Sequence, residues 1–177
     1  ANVFFTYPAM LDFACLGDKC QDTCCQSWDI RFDKQHYSLM QDCVAGDGPK
    51  KAFFNENVKL LEDGDDKNYA LVKLNDKGSF PFLDTSGWCE LHKVRGVAPL
   101  SNVCAFYPRV ISQYGDRYEI AGALSCPEVA RQTLLGDKRF RMVEMDAGLL
   151  PRPDDFPVTR RITIIDDDDY LTHFPEV

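Results

Sequence analysis

The chain has no run of apolar residues near the 18 or so that a membrane-spanning helix needs, so no span and no membrane partner are expected. It has no Gly-x-Gly-x-x-Gly. The nearest approach, Gly46-Asp47-Gly48, lacks the third glycine and a preceding buried strand, which leaves no Rossmann-type donor site. Positive charge is scarce: 20 Lys and Arg stand against 28 Asp and Glu, for a net charge of −8. The densest basic stretch, Lys138-Arg139-Phe140-Arg141, is short, and the rest of the surface repels phosphate backbones, so no nucleic acid is expected as partner. An acidic surface suits a lysine-bearing protein by charge complementarity; solubility alone is the other reading. Internal repeats are absent. The first residues lack a basic stretch followed by an apolar one, so no signal peptide is expected in them.

What the chain does have is cysteine. There are eight, and four crowd into Cys15-x4-Cys20-x3-Cys24-Cys25. Cys43, Cys89, Cys104 and Cys126 are the others. Such a knot holds a metal ion, holds a cluster or is stapled by disulfides. With 177 residues, 45% of them apolar, the chain can fold one core without staples. Vicinal Cys24-Cys25 also fits a disulfide framework poorly, since each thiol would need its own distant partner. An extracellular disulfide-stabilised domain remains the alternative.

Thiolate sulfur is a soft donor that selects zinc, copper(I) or iron–sulfur clusters over magnesium or calcium. Zinc and a 4Fe–4S cluster each take four ligands. On a helical segment Cys20 and Cys24 share one face and Cys25 points about 100° away, a geometry that a cluster tolerates better than one ion. Paired Cys-x2-Cys knuckles, the usual zinc signature, are missing. Cys89, Cys104 and Cys126 each sit near an expected helix start, where backbone N–H groups favour thiolate. His92 is a further possible ligand. Cys43 lies alone inside an expected helix and reads as a small core residue. The four methionines are scattered, and Asp166 to Asp169 lack EF-hand spacing and its glycine, so neither copper nor calcium is indicated.

Pattern and punctuation predict the elements. Alternation at Trp28, Ile30 and Phe32 gives a short strand. Asp33 caps a helix from Lys34 to about Val44, and a second helix covers Lys50 to Leu61. Tyr69 to Leu74 is a strand. Short helices carry Cys89 to Val94 and Ser101 to Phe106. Arg109 to Tyr114 and Arg117 to Leu124 form a hairpin around Gly115-Asp116. Ser125 caps a helix from Pro127 to Leu135, and Arg161 to Ile165 forms a strand. The expected architecture is α+β, a mostly helical single domain with a small β-hairpin, organised around a cysteine-bound metal centre. Residues 1–150 make up the cysteine-rich domain, and 151–177 an acidic, Pro- and Asp-rich extension.

Several ordered segments resemble one family. They are Phe13-x-Cys15-x4-Cys20-x-Asp22-x-Cys24-Cys25-x-x-Trp28-x-Ile30, Pro81-Phe82-Leu83, Cys89-x-Leu91-His92, Leu100-Ser101-x-x-Cys104-x-x-Tyr107-Pro108-Arg109, and Leu124-Ser125-Cys126-Pro127-Glu128-x-Ala130-Arg131. Over about residues 10 to 135 the pattern is similar to the flagellin lysine-N-methylases, and more distantly to the zinc- or iron-chelating cysteine-cluster proteins. The chain departs from it with Ser79-Phe80 where the family often has Cys before Pro-Phe-Leu, and with Ser27 where it has Gly.

The resemblance implies a cytoplasmic S-adenosylmethionine-dependent protein-lysine N-methyltransferase acting on flagellin-like proteins, and a 4Fe–4S cluster held among Cys15, Cys20, Cys24, Cys25, Cys89, Cys104 and Cys126. Zinc is the alternative metal. Family enzymes are roughly twice as long, so the chain is expected to supply at least their cysteine-rich part. A non-catalytic metal-binding interaction module is the competing function. Arg109 and Arg131 are candidates to bind an anion or the donor's carboxylate, with salt-bridging inside the fold as the other reading. Lysine methylation needs a neutral amine and an in-line donor. Asp22, Asp29 and Tyr107 are candidates to take or position the proton, against capping, solvation or packing.

Overall fold

A computed structural model of the chain describes residues 2–26 and 28–162. Strand β1 (Val3–Thr6) is followed by the single turn α1 (Pro8–Leu11), begun by a proline whose missing N–H has no partner to lose in a first turn. A loop with one 3₁₀ turn at Gly17–Lys19 leads to β2 (Arg31–Phe32). Helix α2 (Lys34–Val44) starts where the Asp33 carboxylate accepts from His36 N at 2.8 Å. Asp47 caps α3 (Gly48–Asn57) by accepting from Lys50 N, with Pro49 in its first turn. Then come β3 (Val58–Leu60), β4 (Ala70–Val72), α4 (Glu90–Arg95), α5 (Asn102–Phe106), β5 (Arg109–Tyr114), β6 (Arg117–Gly122), α6 (Pro127–Leu134), β7 (Val143–Met145) and β8 (Arg160–Arg161).

The strands form two sheets. The larger runs β7-β1-β6-β5-β8, the smaller β2-β4-β3. At the centre of the larger is the hairpin: Gly115 takes φ +60°, and Tyr114 faces Arg117 while Ile111 faces Ile120. Strand β1 adds parallel to β6, so Phe4 lies beside Tyr118 with the two rings stacked 4.9 Å apart. Thr6, on the same buried face, satisfies its hydroxyl by donating to the Ile120 carbonyl at 2.7 Å.

Two apolar clusters fill the interior. The main one joins Ile30, Phe32, Met40, Phe54, Val72, Phe82, Phe106 and Ile111 between the sheets and helices α2 and α3. A smaller one gathers Tyr7, Met10, Phe13, Cys126 and Val129 where α1 and α6 meet the end of β6. Gly122 makes that meeting possible. A Cβ there would sit 2.6 Å from Val129 Cγ1 and 2.8 Å from Tyr7 Oη. Residues 151–162 return to the same body. Phe156 packs edge-on to Phe4 and Tyr118, and β8 pairs with β5. Arg152 is buried against His36, Asn102 and the Leu100 carbonyl. His36 in turn bonds Asp33 through Nδ1 at 2.7 Å.

The mostly helical expectation is overturned. Among the described residues helix accounts for 31% and strand for 21%, in a five-stranded and a three-stranded sheet, and only α2, α3 and α6 are substantial helices. The strands that were not expected, β1, β3 and β7, run three or four residues, too short for alternation to register. Long-range pairing specifies them instead. The second helix stops at Asn57 rather than Leu61, because Val58 leaves to pair with Val72. Cys126 rather than Ser125 occupies the N-cap of α6, and the Ser125 hydroxyl faces the Tyr107 phenol instead. The Asp166 to Asp169 run and the end of the strand expected at Arg161 to Ile165 lie outside the described residues.

Candidate metal centre

The loop between α1 and β2 carries four of the thiols, and packing from elsewhere fixes its path. Gly17 takes φ +57°, and a Cβ on it would lie 3.0 Å from the Trp88 ring, so Trp88 lies directly against this glycine. Phe80 N donates to the Cys25 carbonyl at 2.9 Å, and Gln26 bridges Ser79. Trp28 Nε1 donates to the Cys24 carbonyl at 2.6 Å. Residues 79–89 are thereby stitched to the thiol loop.

A turn at Asp84 then delivers Cys89. The Asp84 carboxylate accepts from Ser86 Oγ, Lys93 Nζ and the amides of Ser86 and Trp88, which hold it well below the usual carboxylate range. Leu83 bridges Cys89, and Cys89 occupies the N-cap of α4. In α5 the Ser101 hydroxyl accepts from the Cys104 amide, so the cap of the helix fixes the cysteine itself. Cys126 caps α6.

These local devices bring thiols from four segments within electrostatic reach of one another pair by pair. Cys15 feels the charges of Cys24, Cys20 and Cys126. Cys25 feels Cys24, Cys89 and Cys104. Cys104 feels Cys89 and Cys24. Two overlapping groups result, one of Cys15, Cys20, Cys24 and Cys126, the other of Cys24, Cys25, Cys89 and Cys104, with Cys24 common to both. The site sits where the two apolar clusters adjoin. Cys25, Cys89 and Cys104 pack on the main one, while Cys126 belongs to the smaller. Cys43 stands apart and lines a separate cavity of about 490 Å³ with Met40, Phe53 and Phe82.

Burial and mutual contact set the acidities. Desolvation pushes Cys104 up to about 12 and raises Cys15 and Cys89, the latter opposed by the amides of His92 and Leu91. The Cys25 thiol bonds the Cys24 sulfur, which lowers Cys24 to about 7 and drives Cys25 upward. Cys24 is therefore partly ionised near neutral pH.

All eight cysteines are free thiols in the structure. Among the described residues no three His, Cys, Asp or Glu side chains are arranged to hold a metal ion as they stand. Four sulfurs at ~2.3 Å from one zinc ion would need to close tightly around a point. A cluster of several irons accepts thiols spread over a larger volume. The donor set fits the cluster on chemistry: soft ligands only, half-buried or exposed except for Cys126, against apolar neighbours.

The remaining candidates fall in different places. Arg109 lies near Cys15, its guanidinium 5.1 Å above the Phe13 ring. Arg131 grips the buried Glu128 carboxylate through both Nε and Nη2, each at 2.7 Å. His92 is half-buried on α4. Asp22 is exposed and accepts from Thr23 N and Gln26 Nε2, while exposed Asp29 faces Arg31. Tyr107 borders the thiols, with burial raising its pKa and Cys126, Cys24 and Cys20 adding to the rise. Sequence reasoning missed the tryptophans as the residues that hold the loop in place. The only available signal was that Trp28 and Trp88 stand within four residues of a cysteine.

Compared with protein-family models, curated proteins and solved structures, the chain matches none of them. Among the described residues no helix is long and apolar enough to cross a membrane.

Proposed function

We propose that this chain carries a cysteine-ligated 4Fe–4S cluster and serves as the cysteine-rich part of a protein-lysine N-methyltransferase, with S-adenosylmethionine as donor and a flagellin-like protein as substrate. The observation that carries the cluster is the convergence of seven thiols from four separate segments, with Cys43 left outside. Thiols used merely as core filling have no reason to gather while a similar residue elsewhere does not. The methylase part rests on the ordered resemblance of residues 10 to 135.

When bound, the cluster supplies a cross-link among loops and a redox-active centre. The chain's own residues do the rest. Trp28 and Tyr107 meet edge to face at 5.2 Å beside the thiols. The raised Tyr107 keeps its proton at neutral pH, so it presents a neutral phenol beside Ser125. The net charge of −8 favours approach of a lysine-rich surface.

A second reading has its own support. The loop that bears Cys15 to Cys25 contains only one 3₁₀ turn, so a bound metal would supply much of its order. On that reading the module folds around metal without catalysing transfer. Anaerobic protein incubated with flagellin and S-adenosylmethionine separates the two. The methylase reading expects methylated lysine by mass spectrometry. A cluster-loaded protein that methylates no lysine on flagellin removes the methylase and leaves the module.

A further inference from the structure

Among the described residues Arg109 is a cation with no carboxylate partner, and the opposing group beside it is the Cys15 sulfur. Arg109 begins β5, stands with its guanidinium carbon 5.1 Å from the Phe13 ring, and is desolvated. Among the described residues it makes no ion pair or side-chain hydrogen bond. Arg131, its companion in the sequence, is by contrast fully taken up by Glu128. A half-buried guanidinium with only an aromatic face and a neighbouring thiol for company is under-solvated, and an anion with oxygen acceptors would relieve it.

The space for that anion is present. Arg109 and Phe13 line a cavity of about 210 Å³ together with Met10, Ile120, Met145 and Leu149. It is smaller than the roughly 300–1,000 Å³ of pockets for drug-sized ligands, and it holds the volume of about seven waters. No carboxylate lines it. Thr6, also on its wall, already donates its hydroxyl to Ile120. One charged donor therefore stands among lining side chains that, Thr6 apart, are apolar, which suits a small acid with an aliphatic or thioether tail.

We propose that the cavity between β1, α1 and the start of β5 binds a small organic monocarboxylate, its carboxylate on Arg109 and its tail against Met10, Ile120 and Met145. The inference is independent of the methylase reading, because it needs neither metal nor methyl donor. Phosphate is more heavily hydrated and meets no second charged side chain here, which leaves it as the weaker ligand.

Calorimetric titration of the anaerobically purified chain with butyrate, and separately with inorganic phosphate, tests it. The expected result is saturable binding of butyrate and much weaker binding of phosphate. Arg109→Met should weaken butyrate binding at least about tenfold, as loss of a charge-assisted hydrogen bond does. Leu149 is 58% exposed at the mouth, so Leu149→Trp should narrow the cavity without disturbing the fold and weaken butyrate likewise. Unaltered butyrate affinity in both variants, no butyrate binding by the parent chain, or phosphate binding as well as butyrate would each overturn the proposal. Iron content on the same samples keeps the two readings apart. A cluster-loaded chain that ignores butyrate sinks only this inference, and an iron-free chain that binds it sinks only the cluster.

Discussion

Trp28 and Tyr107, distant in sequence, meet beside the thiol site: their rings lie edge to face at 5.2 Å, and the Trp28 indole N–H donates to the Cys24 carbonyl at 2.6 Å. One residue thus fixes both the backbone of the central cysteine and the wall beside it. Trp28→Phe keeps most of the ring contact and removes the donor. The expected effect is a loss of about 1 kcal/mol in urea denaturation, with faster alkylation of Cys24 than in the parent chain.

The cap of α5 is a second local control. Ser101 is completely buried, and its hydroxyl accepts from the Cys104 amide at 3.4 Å. Ser101→Ala should lower stability by about 1 kcal/mol and should reduce iron retained per chain after anaerobic gel filtration. Ser101→Thr, which restores an acceptor, should recover part of both.

The core prediction concerns Phe54, fully buried and in ring contact with Phe32, Tyr37 and Phe82. Phe54→Ala should cost about 3–5 kcal/mol by denaturant unfolding. A loss below about 1 kcal/mol would mean that α3 does not pack as described.

Glu128 gives a pH signature. Its pair with Arg131, helped by Gln132, holds its carboxyl down to about 2. A depressed folded pKa means the stabilisation is present above the ordinary glutamate value near 4.3 and is lost as pH falls from there towards 2. Glu128→Gln should be less stable than the parent at pH 6, and the difference should vanish near pH 2. Thermal unfolding across that range measures it.

Where the sequence carried local punctuation, the structure followed it. Asp33 capping α2, Ser101 capping α5 and Gly115 turning the hairpin were all legible, because each acts within a few residues. Strands β1 and β7 were not, because they exist only through pairing over more than a hundred residues in one case and in the other through that same β1. Their residues, such as Phe4 and Val143, show no alternation long enough to count. At the site, the seven cysteines are proposed as a set, and Cys43 set aside, from spacing and resemblance alone. That Cys24 joins two groups of thiols, and that Trp88 lies on Gly17, depend on tertiary contacts that no local pattern announces.

Iron and acid-labile sulfide, measured on protein prepared without oxygen, address the central claim most directly. The account predicts a brown chain with absorbance near 400 nm (order of magnitude) and about four irons and four sulfides. Cys24→Ser should lose them and Cys43→Ser should keep them. A colourless parent chain holding zinc, or a Cys43→Ser variant as depleted as Cys24→Ser, would contradict it.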